Sequence, residues 1–247
     1  MKFNFINRYC SMLLIGVLLM LAGSCKRSNN NLSVGTTSDS ETVKDIDGNV
    51  YHTVTIGTQV WMVENLKTTK YRDGSPIPIV TDDNAWHYLT TGAYCNYNND
   101  TAVGNKYGKL YNWYAVNDNR NIAPTGWHVP TDAEWTILEN YMSANHGTSG
   151  SVAKALAAKT DWASATSVGA IGNDLTKNNS SGLTILSGGF RDDAGKFYGI
   201  GNYGYWWSSS SVATGFAWDR FLYFQSNSMG RSDYFNECGF SVRCVRD

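Results

Sequence analysis

The chain has 247 residues, of which 17% are charged and 13% aromatic, and its formal net charge at pH 7 is −1. This near balance of charge gives no electrostatic reason to expect nucleic acid or an anionic membrane surface as a partner. The length allows one domain with a sizeable hydrophobic core, beside shorter segments of other kinds.

The N-terminus predicts export. Basic residues precede an apolar run at residues 12–22, about half of the roughly 20 residues that a membrane-spanning helix needs. This order is typical of a secretory signal peptide. Gly-Ser-Cys follows the run, and small residues directly before a cysteine resemble the bacterial lipobox, in which that cysteine carries a lipid. We expect residues 1–24 to be a lipoprotein signal peptide and Cys25 to be lipidated. The alternative is an ordinary signal peptide with an incidental cysteine.

Residues 25–42 predict a flexible tether. The segment is polar, rich in Ser, Asn and Thr, and lacks aromatic residues, so it cannot bury enough surface to order itself. Lipid at Cys25, rather than charge, would then hold the protein at a membrane. The remaining residues, 43–247, combine glycine-rich turns and many aromatics with few helical windows. We expect them to form one α+β domain with extensive loops, in a compartment that tolerates disulfides.

The first half of the domain predicts strands joined by tight turns. Asp-Gly-Asn at residues 47–49 is a hairpin signal between β-prone stretches of residues 43–56. A second strand is predicted in QVWMVENL, residues 59–66. Residues 109–116, KLYNWYAV, fit either a short buried helix or a strand, and their length does not decide between the two.

The stretch TGWHVPTDAEW, residues 125–135, predicts the start of a helix. Thr131 and Glu134 have the spacing of a capping box, in which each side chain satisfies a free backbone amide of the other residue. The apolar positions that then recur at spacings of three and four, on one helix face, are Trp135, Leu138 and Met142.

This helix is predicted to end at His146-Gly147, because glycine suits the left-handed cap position. Asp132 lies in the first turn, where negative charge suits the helix dipole. Only His128 is then left without a structural role. A lone histidine is more often a satisfied side chain than a ligand, so we assign it no catalytic function.

The second half predicts one more short helix, at residues 152–159, followed by strands and loops. The β-prone runs are residues 183–191, 196–198, 205–211, 216–224 and 240–245. In the last run Phe240, Val242 and Cys244 point one way, and Ser241, Arg243 and Val245 point the other. We expect a final strand that faces the core through the first three residues.

Several motifs, taken in order, resemble a known family. They are VWMVENL (60–66), YNWYA (111–115), PTGWHVPTDAEW (124–135), GGFR (188–191), YWWSS (205–209) and GFSVRCV (239–245). Over residues 43–247 the chain resembles the Fibrobacter succinogenes major paralogous domain family. The resemblance implies an exported or surface lipoprotein, chiefly of Bacteroidetes-type bacteria, without an agreed catalytic activity. It also implies a C-type-lectin-like fold, with two helices flanking a small twisted antiparallel sheet under long loops.

The domain has an odd number of cysteines, Cys95, Cys238 and Cys244. In the family a cysteine usually precedes Pro-Thr-Gly-Trp and is a plausible partner for the last-strand cysteine, but this chain has Ala123 there. Cys238 and Cys244 would be about 20 Å apart in an extended strand, whereas a disulfide needs Cα atoms within about 7 Å. We therefore expect Cys95 to pair with Cys238 or Cys244, which leaves one thiol.

Three hypotheses about function follow. The family is more distantly similar to the formylglycine-generating enzyme, which holds copper with a cysteine pair, and thiolates do favour Cu(I). A cysteine pair in an exported protein is more often a disulfide, and no catalytic motif supports an oxidoreductase. We expect a non-catalytic, lectin-like module that recognises carbohydrate or protein. The third hypothesis is a structural or adhesion-associated envelope subunit.

Aromatic residues in glycine-rich loops are the candidate ligand contacts, because exposed ring faces stack on sugars. These candidates are Trp86, Tyr88, Tyr94, Tyr97, Trp162, Tyr203 and Tyr205. The alternative is that most of them fill the core.

Calcium is the one candidate cofactor. Asp82-Asp83, Asp192-Asp193 and Asp233 offer hard oxygen ligands. However, the Glu-Pro-Asn and Gln-Pro-Asp triplets of calcium-dependent lectins do not occur in this sequence, and acid pairs in loops are usually just solvated.

Overall fold

The computed structural model describes residues 41–146 and 151–247. The predicted signal peptide, Cys25, the tether up to residue 40 and the predicted cap Gly147 lie outside these residues. The first strand begins at Thr42. Among the described residues, no helix is long and apolar enough to cross a membrane.

The domain is α+β, as predicted, and strands dominate it. The strands are β1 (Thr42–Lys44), β2 (Val50–Ile56), β3 (Gln59–Met62), β4 (Tyr94–Cys95), β5 (Leu110–Tyr111), β6 (Trp127–His128), β7 (Gly188–Arg191), β8 (Phe197–Ile200), β9 (Tyr203–Ala213), β10 (Phe216–Tyr223), β11 (Gly230–Phe235) and β12 (Val245–Arg246). The helices are α1 (Asp83–His87), α2 (Thr101–Tyr107), α3 (Trp113–Val116), α4 (Asp132–His146) and α5 (Val152–Leu156). Only α4, with 15 residues, is a long helix in the described part of the chain.

The strands form two five-stranded sheets and a two-stranded ladder of β4 and β5. The first sheet has the order β1-β2-β3-β12-β6, and the second has the order β11-β10-β9-β7-β8. Neighbouring strands are antiparallel except β7 and β9, which run parallel where Gly189 meets Gly204. The domain therefore contains more sheet than the single small sheet that the resemblance implied.

The predicted N-terminal hairpin is confirmed. Strands β1 and β2 pair antiparallel, and Gly48 in the turn has φ of +83°, a conformation that favours glycine. The Asp45 carboxylate accepts hydrogen bonds from the Asn49 amide at 2.9 Å and from the Tyr51 hydroxyl at 2.5 Å. The turn is thus fixed by a side chain as well as by the backbone.

Residues 109–116 realise both alternatives left open by the sequence. Leu110–Tyr111 form β5, and Trp113–Val116 form α3. The change occurs at Asn112, whose side chain accepts from the Ala115 amide and so caps the helix. The second predicted helix and the predicted strand at residues 183–191 are both shorter than expected, since they reduce to α5 and β7.

The capping box of α4 is also confirmed. The Thr131 hydroxyl accepts from the Glu134 amide at 3.2 Å, and the Glu134 carboxylate accepts from the Thr131 amide at 2.8 Å. The face predicted to be apolar is fully buried. On it, Trp135 contacts Trp61 of β3, with ring centroids 4.8 Å apart.

The second sheet separates two hydrophobic cores. Adjacent residues of β9 point to opposite faces, so Trp206 enters one core and Trp207 the other. The helix-side core contains Trp61, Trp135, Leu138, Trp206 and Leu222, among others. The loop-side core contains Tyr111, Trp113, Trp207, Phe240 and Val242, among others.

The prediction for the C-terminal run is wrong in part. Only Val245–Arg246 form a strand, and residues 240–244 are buried on both sides. Arg243, which alternation placed away from the core, is 1% exposed. Its guanidinium donates to the Asn65 side-chain oxygen at 2.9 Å and to the Leu183 carbonyl. The Arg243 guanidinium therefore forms hydrogen bonds to buried polar groups instead of to the solvent that the alternation predicted.

Candidate functional site

One face of the second sheet is covered by aromatic rings that run from the loop-side core out to solvent. We call this surface the aromatic face. Its rings are Phe190, Tyr198, Tyr203, Tyr205, Phe221, Tyr223 and Tyr234.

The period of the strands explains how these rings come together. Tyr203 and Tyr205 are two residues apart on β9, so they share a face. Their Cα partners on β10 are Tyr223 and Phe221. Gly230 of β11 makes room for the Phe221 ring, because a Cβ at that position would lie 2.1 Å from the ring. Register and one glycine thus place four rings in two rows.

Tyr205 is the centre of the face. Its ring centroid lies 4.7 Å from Phe190, 5.4 Å from Phe221 and 5.7 Å from Tyr234. It also lies 4.9 Å from Phe240 of the loop-side core. These contacts anchor the face to the interior, so its rings form a rigid surface.

The face opens to solvent at the end opposite the core. Tyr205 is buried, Tyr203 and Tyr223 are half-buried, and Tyr198 is 49% exposed. The Tyr223 hydroxyl donates to the Gln225 side chain at 2.8 Å. Burial, followed by the neighbouring Tyr223, raises the pKa of Tyr203. Its phenol therefore stays neutral near pH 7 and can still donate a hydrogen bond.

The buried end of the face holds a carboxylate. Asp219 lies two residues before Phe221 on β10 and opposite Trp207 on β9, so it shares the face with both. It is 0% exposed, and neither of its carboxylate oxygens meets a hydrogen-bond donor among the described residues. Burial raises the pKa of Asp219 to about 7, and the opposing effect of the Arg220 charge does not overcome this.

Comparisons with known proteins identify the domain. A sequence profile described as the Fibrobacter succinogenes major domain matches residues 54–246, which is most of the chain. The chain belongs to this family. A search of curated proteins and a search of solved structures each found no match.

In this Fibrobacter succinogenes major domain, most of the predicted ligand-contact residues are buried in the core. The candidates that are buried outside the aromatic face are Trp86, Tyr94, Tyr97 and Trp162. Tyr88 is 77% exposed, and its ring contacts His87 and none of the rings of the aromatic face. Tyr203 and Tyr205 are the two candidates that lie in the face.

The other five rings of the face were missed by the sequence analysis. Phe221 and Tyr223 had a signal, since they alternate along a strand that was predicted correctly. The remaining three belong to β7, β8 and β11. Their place in the face depends on strand order, which the sequence analysis did not attempt.

The predicted disulfide is not formed. Cys95, Cys238 and Cys244 are all free, buried thiols. Cys95 packs with Trp86 and Tyr97 in a separate small core, whereas the other two lie in the loop-side core. Burial raises the pKa of Cys95 to about 12 and raises that of the other two as well. Cys95 is therefore in a different core from the other two thiols, and burial favours the protonated form of all three rather than the thiolates that copper would need.

Two of the acidic residues proposed for calcium, Asp82 and Asp83, have partners within the protein. Asp82 caps α1 by accepting from the Ala85 amide. Asp83 binds Arg191 at 3.0 Å and Lys196 at 2.5 Å. Asp233 is exposed on β11. In the described residues, no three His, Cys, Asp or Glu side chains are grouped so that they could hold a metal ion.

His128 acts as a structural link. Its Nε2 lies 2.8 Å from the Glu134 carboxylate, and its Nδ1 lies 2.7 Å from that of Asp247. The ring therefore ties the C-terminus to the first turn of α4. Although burial disfavours the charged ring, the hydrogen bonds that it donates to Asp247 and Glu134 outweigh this effect and raise the pKa of His128.

A cavity of about 260 Å³ lies beside Arg72, Lys44 and Lys70. Its cations are mostly engaged. The Arg72 guanidinium donates to three backbone carbonyls, including that of Trp127 at 2.7 Å. Lys70 pairs with Asp47 at 3.0 Å. This cavity is therefore a weaker candidate site than the aromatic face.

Proposed function

We propose that the protein is a lipid-anchored envelope protein whose domain is a non-catalytic, lectin-like module that binds carbohydrate through the aromatic face. The proposal rests on one observation. Seven aromatic rings are in contact before any ligand binds, and their exposure rises from the buried Tyr205 to the exposed Tyr198. Aromatic rings fixed by packing lose little conformational freedom when a ligand binds.

The chemistry of the face favours sugars over a purely apolar partner. Its exposed rim consists of tyrosines, which combine a flat apolar ring with a hydroxyl. A pyranose likewise combines an apolar CH face with hydroxyl groups. The stacked pair Tyr203 and Tyr223 offers ring surface, and the Tyr223–Gln225 hydrogen bond places polar groups beside it.

Anchoring and the finer fold belong to the same proposal. A lipid at Cys25 and a tether would display the domain at the outer membrane, facing the periplasm or the cell surface. The mixed α+β architecture with one long helix, α4, beside two sheets is compatible with a C-type-lectin-like fold.

A glycan panel tests the proposal. The full chain is screened against neutral, acidic and amino glycans, once with calcium and once with a chelator. We expect saturable binding that Tyr203→Ala weakens about fivefold or more, since one stacking ring contributes on the order of 1 kcal/mol. Tyr88→Ala removes an exposed ring outside the face and is the matched control.

The outcomes are distinct. Binding that Tyr203→Ala and Tyr88→Ala weaken equally would place the ligand elsewhere. The absence of binding to any glycan would refute carbohydrate recognition and leave protein recognition, as in a structural envelope subunit, as the alternative. Loss of binding in the chelator arm alone would show that calcium takes part.

A further inference from the structure

The unpaired Asp219 carboxylate at the buried end of the aromatic face needs an explanation. Removing a carboxylate from water without hydrogen bonds or an ion pair costs several kcal/mol. Unsatisfied buried polar groups are rare in native proteins, and carboxylates with a perturbed pKa concentrate at functional sites. The Asp219 carboxylate accepts no hydrogen bond within the described residues, so the structural contribution of this side chain is unfavourable.

The neighbouring arginine does not neutralise this carboxylate. The Arg220 side chain points to the opposite face of β10, towards α4. There it binds the carboxylates of Asp132 at 2.7 Å and of Glu139. Its contact with Asp219 is a 3.2 Å hydrogen bond to the backbone carbonyl. Asp233, the other charged neighbour, raises the pKa of Asp219 further.

The aromatic face lies over this negative charge. Asp219 raises the pKa of the Tyr205 phenol, after the larger effects of burial and Tyr234, so the two groups sense each other. On β10, the Cα partner of Tyr234 is Ala217 and that of Tyr205 is Phe221. The rings of Tyr234 and Tyr205 are nevertheless in contact. Asp219 occupies the position between these two rows. The rings therefore separate the carboxylate from solvent without removing its electric field.

Among the described residues, no Lys or Arg side chain covers a ring of the aromatic face. Elsewhere in the described residues, Lys or Arg side chains cover the rings of Tyr71, Trp86, Tyr107, Trp127, Phe197 and Trp218. None of these six cation–ring pairs of the described residues involves a ring of the aromatic face. Electron-rich tyrosine rings above a buried carboxylate thus present a surface that is complementary to a positive charge.

We propose that the glycan bound by the aromatic face carries a free, protonated amino group, so that the ligand is an amino sugar held by the tyrosine rings and by the Asp219 carboxylate behind them. This inference rests on the function proposed above. The sugar ring stacks on Tyr203 and Tyr223, and its ammonium group lies towards Tyr205. Electrostatic attraction acts across the ring layer, where the low dielectric strengthens it.

A matched pair of oligosaccharides tests the charge. Chitosan hexamer and cellohexaose share the same linked glucose rings and differ by an amine in place of a hydroxyl. Titration calorimetry of the full chain measures both affinities at several values between about pH 6 and pH 8, the range in which the Asp219 carboxyl group and the chitosan amines change charge. We expect the chitosan hexamer to bind about tenfold tighter, as cation–ring attraction and the carboxylate together predict. Hexalysine, a polycation without sugar rings, is the control for unspecific attraction.

Asp219→Asn removes the charge and keeps the shape. We expect this variant to lower the preference for the chitosan hexamer to about threefold, because the attraction of the carboxylate is lost while the cation–ring attraction remains. Thermal unfolding verifies that the variant is folded. If it is not, the ratio of the wild-type affinities for the two hexamers still tests the preference for an amino sugar.

Each remaining outcome would overturn the inference. Equal binding of both hexamers that Tyr203→Ala weakens would refute the amino-sugar preference and leave the proposed function intact. If Asp219→Asn leaves the preference for the chitosan hexamer unchanged, the carboxylate does not take part and the inference fails. It fails likewise if hexalysine binds as tightly as the chitosan hexamer, because the attraction is then unspecific. If neither hexamer binds, the amino-sugar inference fails, and the glycan panel decides separately whether carbohydrate recognition fails with it.

Discussion

Tyr203 and Tyr223 stack across β9 and β10, with ring centroids 4.6 Å apart and ring planes 18° from parallel. The two residues are also Cα partners in the strand register. Cross-strand aromatic pairs stabilise a sheet, so this stack has a structural role besides the proposed one in binding. A ligand that stacks here meets rings that are already aligned.

A double-mutant cycle on this pair is the first prediction. We expect Tyr203→Ala and Tyr223→Ala to be coupled by about 0.5–1.5 kcal/mol in the free energy of unfolding, because each ring loses its partner when the other is removed. Urea unfolding of both single variants and the double variant measures the coupling. Tyr203→Ala combined with Tyr88→Ala is the control and should be additive. An additive Tyr203/Tyr223 cycle would mean that the stack does not stabilise the sheet.

The state of the cysteines gives the second prediction. Because Cys95, Cys238 and Cys244 are buried and free, a maleimide reagent should not label them in the native protein and should label all three after unfolding. Peptide mass mapping reports each site separately. Addition of a reductant should leave the melting temperature unchanged. A peptide pair linked through two of these cysteines would contradict the structure and restore the disulfide expected from the sequence.

The helix α4 could be predicted because its signals are local. The capping box spans Thr131 to Glu134, and the buried face repeats within a few turns. The hairpin around Gly48 was equally local. In both cases the residues that determine the element are neighbours in the chain, so the sequence shows them together.

The aromatic face and the buried arginines could not be predicted in the same way. Asn65, the partner of Arg243, is 178 residues away in the chain. Tyr234 joins the face only because β11 pairs with β10 and not with another strand. Alternation assigned Arg243 to solvent, since it cannot show that a second layer, at Leu183, covers that side. Strand order and long-range partners are set by tertiary packing, which leaves no local signature.

The ammonium group of Lys154 gives the third prediction. This lysine of α5 is buried, and its Nζ donates to the carbonyls of Ala170 at 3.2 Å and Asp174 at 3.1 Å, and also to those of Ile171 and Asn173. The charge thus closes the loop of residues 170–174. We expect Lys154→Met to lower the free energy of unfolding by about 2–4 kcal/mol, because buried carbonyls lose their donor.

Lys177 provides the matched control for this variant. It pairs with Asp174 of the same loop at 3.1 Å, but its side chain is mostly exposed. Lys177→Met should change the stability little, as is usual for exposed ion pairs. Equal effects of the two substitutions, measured by urea unfolding, would show that the carbonyl contacts of Lys154 do not stabilise the loop.

The fourth prediction concerns pH and the His128 link. The pKa of His128 is raised in the folded protein, despite burial, by Asp247 and Glu134. A raised folded-state pKa means that the stabilisation is fully present below the unfolded value, about 6.5, and is lost as the pH rises through the folded value. The Glu134 carboxyl group adds a dependence at lower pH. Burial alone would raise its pKa, but hydrogen bonds from Thr131 and His128 outweigh burial and lower it. That contribution is lost as the pH falls through the folded pKa of this carboxyl group.

The melting temperatures of the wild type and of His128→Asn, compared between about pH 5 and pH 8, test this linkage. The stabilising effect of His128 should be largest near pH 5–6 and should shrink steadily above about pH 7, as the imidazolium loses its proton. His87→Asn controls for the loss of an imidazole, because the His87 ring contacts the backbone carbonyl of Asp193 instead of a carboxylate. A difference between wild type and His128→Asn that stays constant over this range would show that the ring stabilises the fold as a neutral group, which can donate to only one of the two carboxylates.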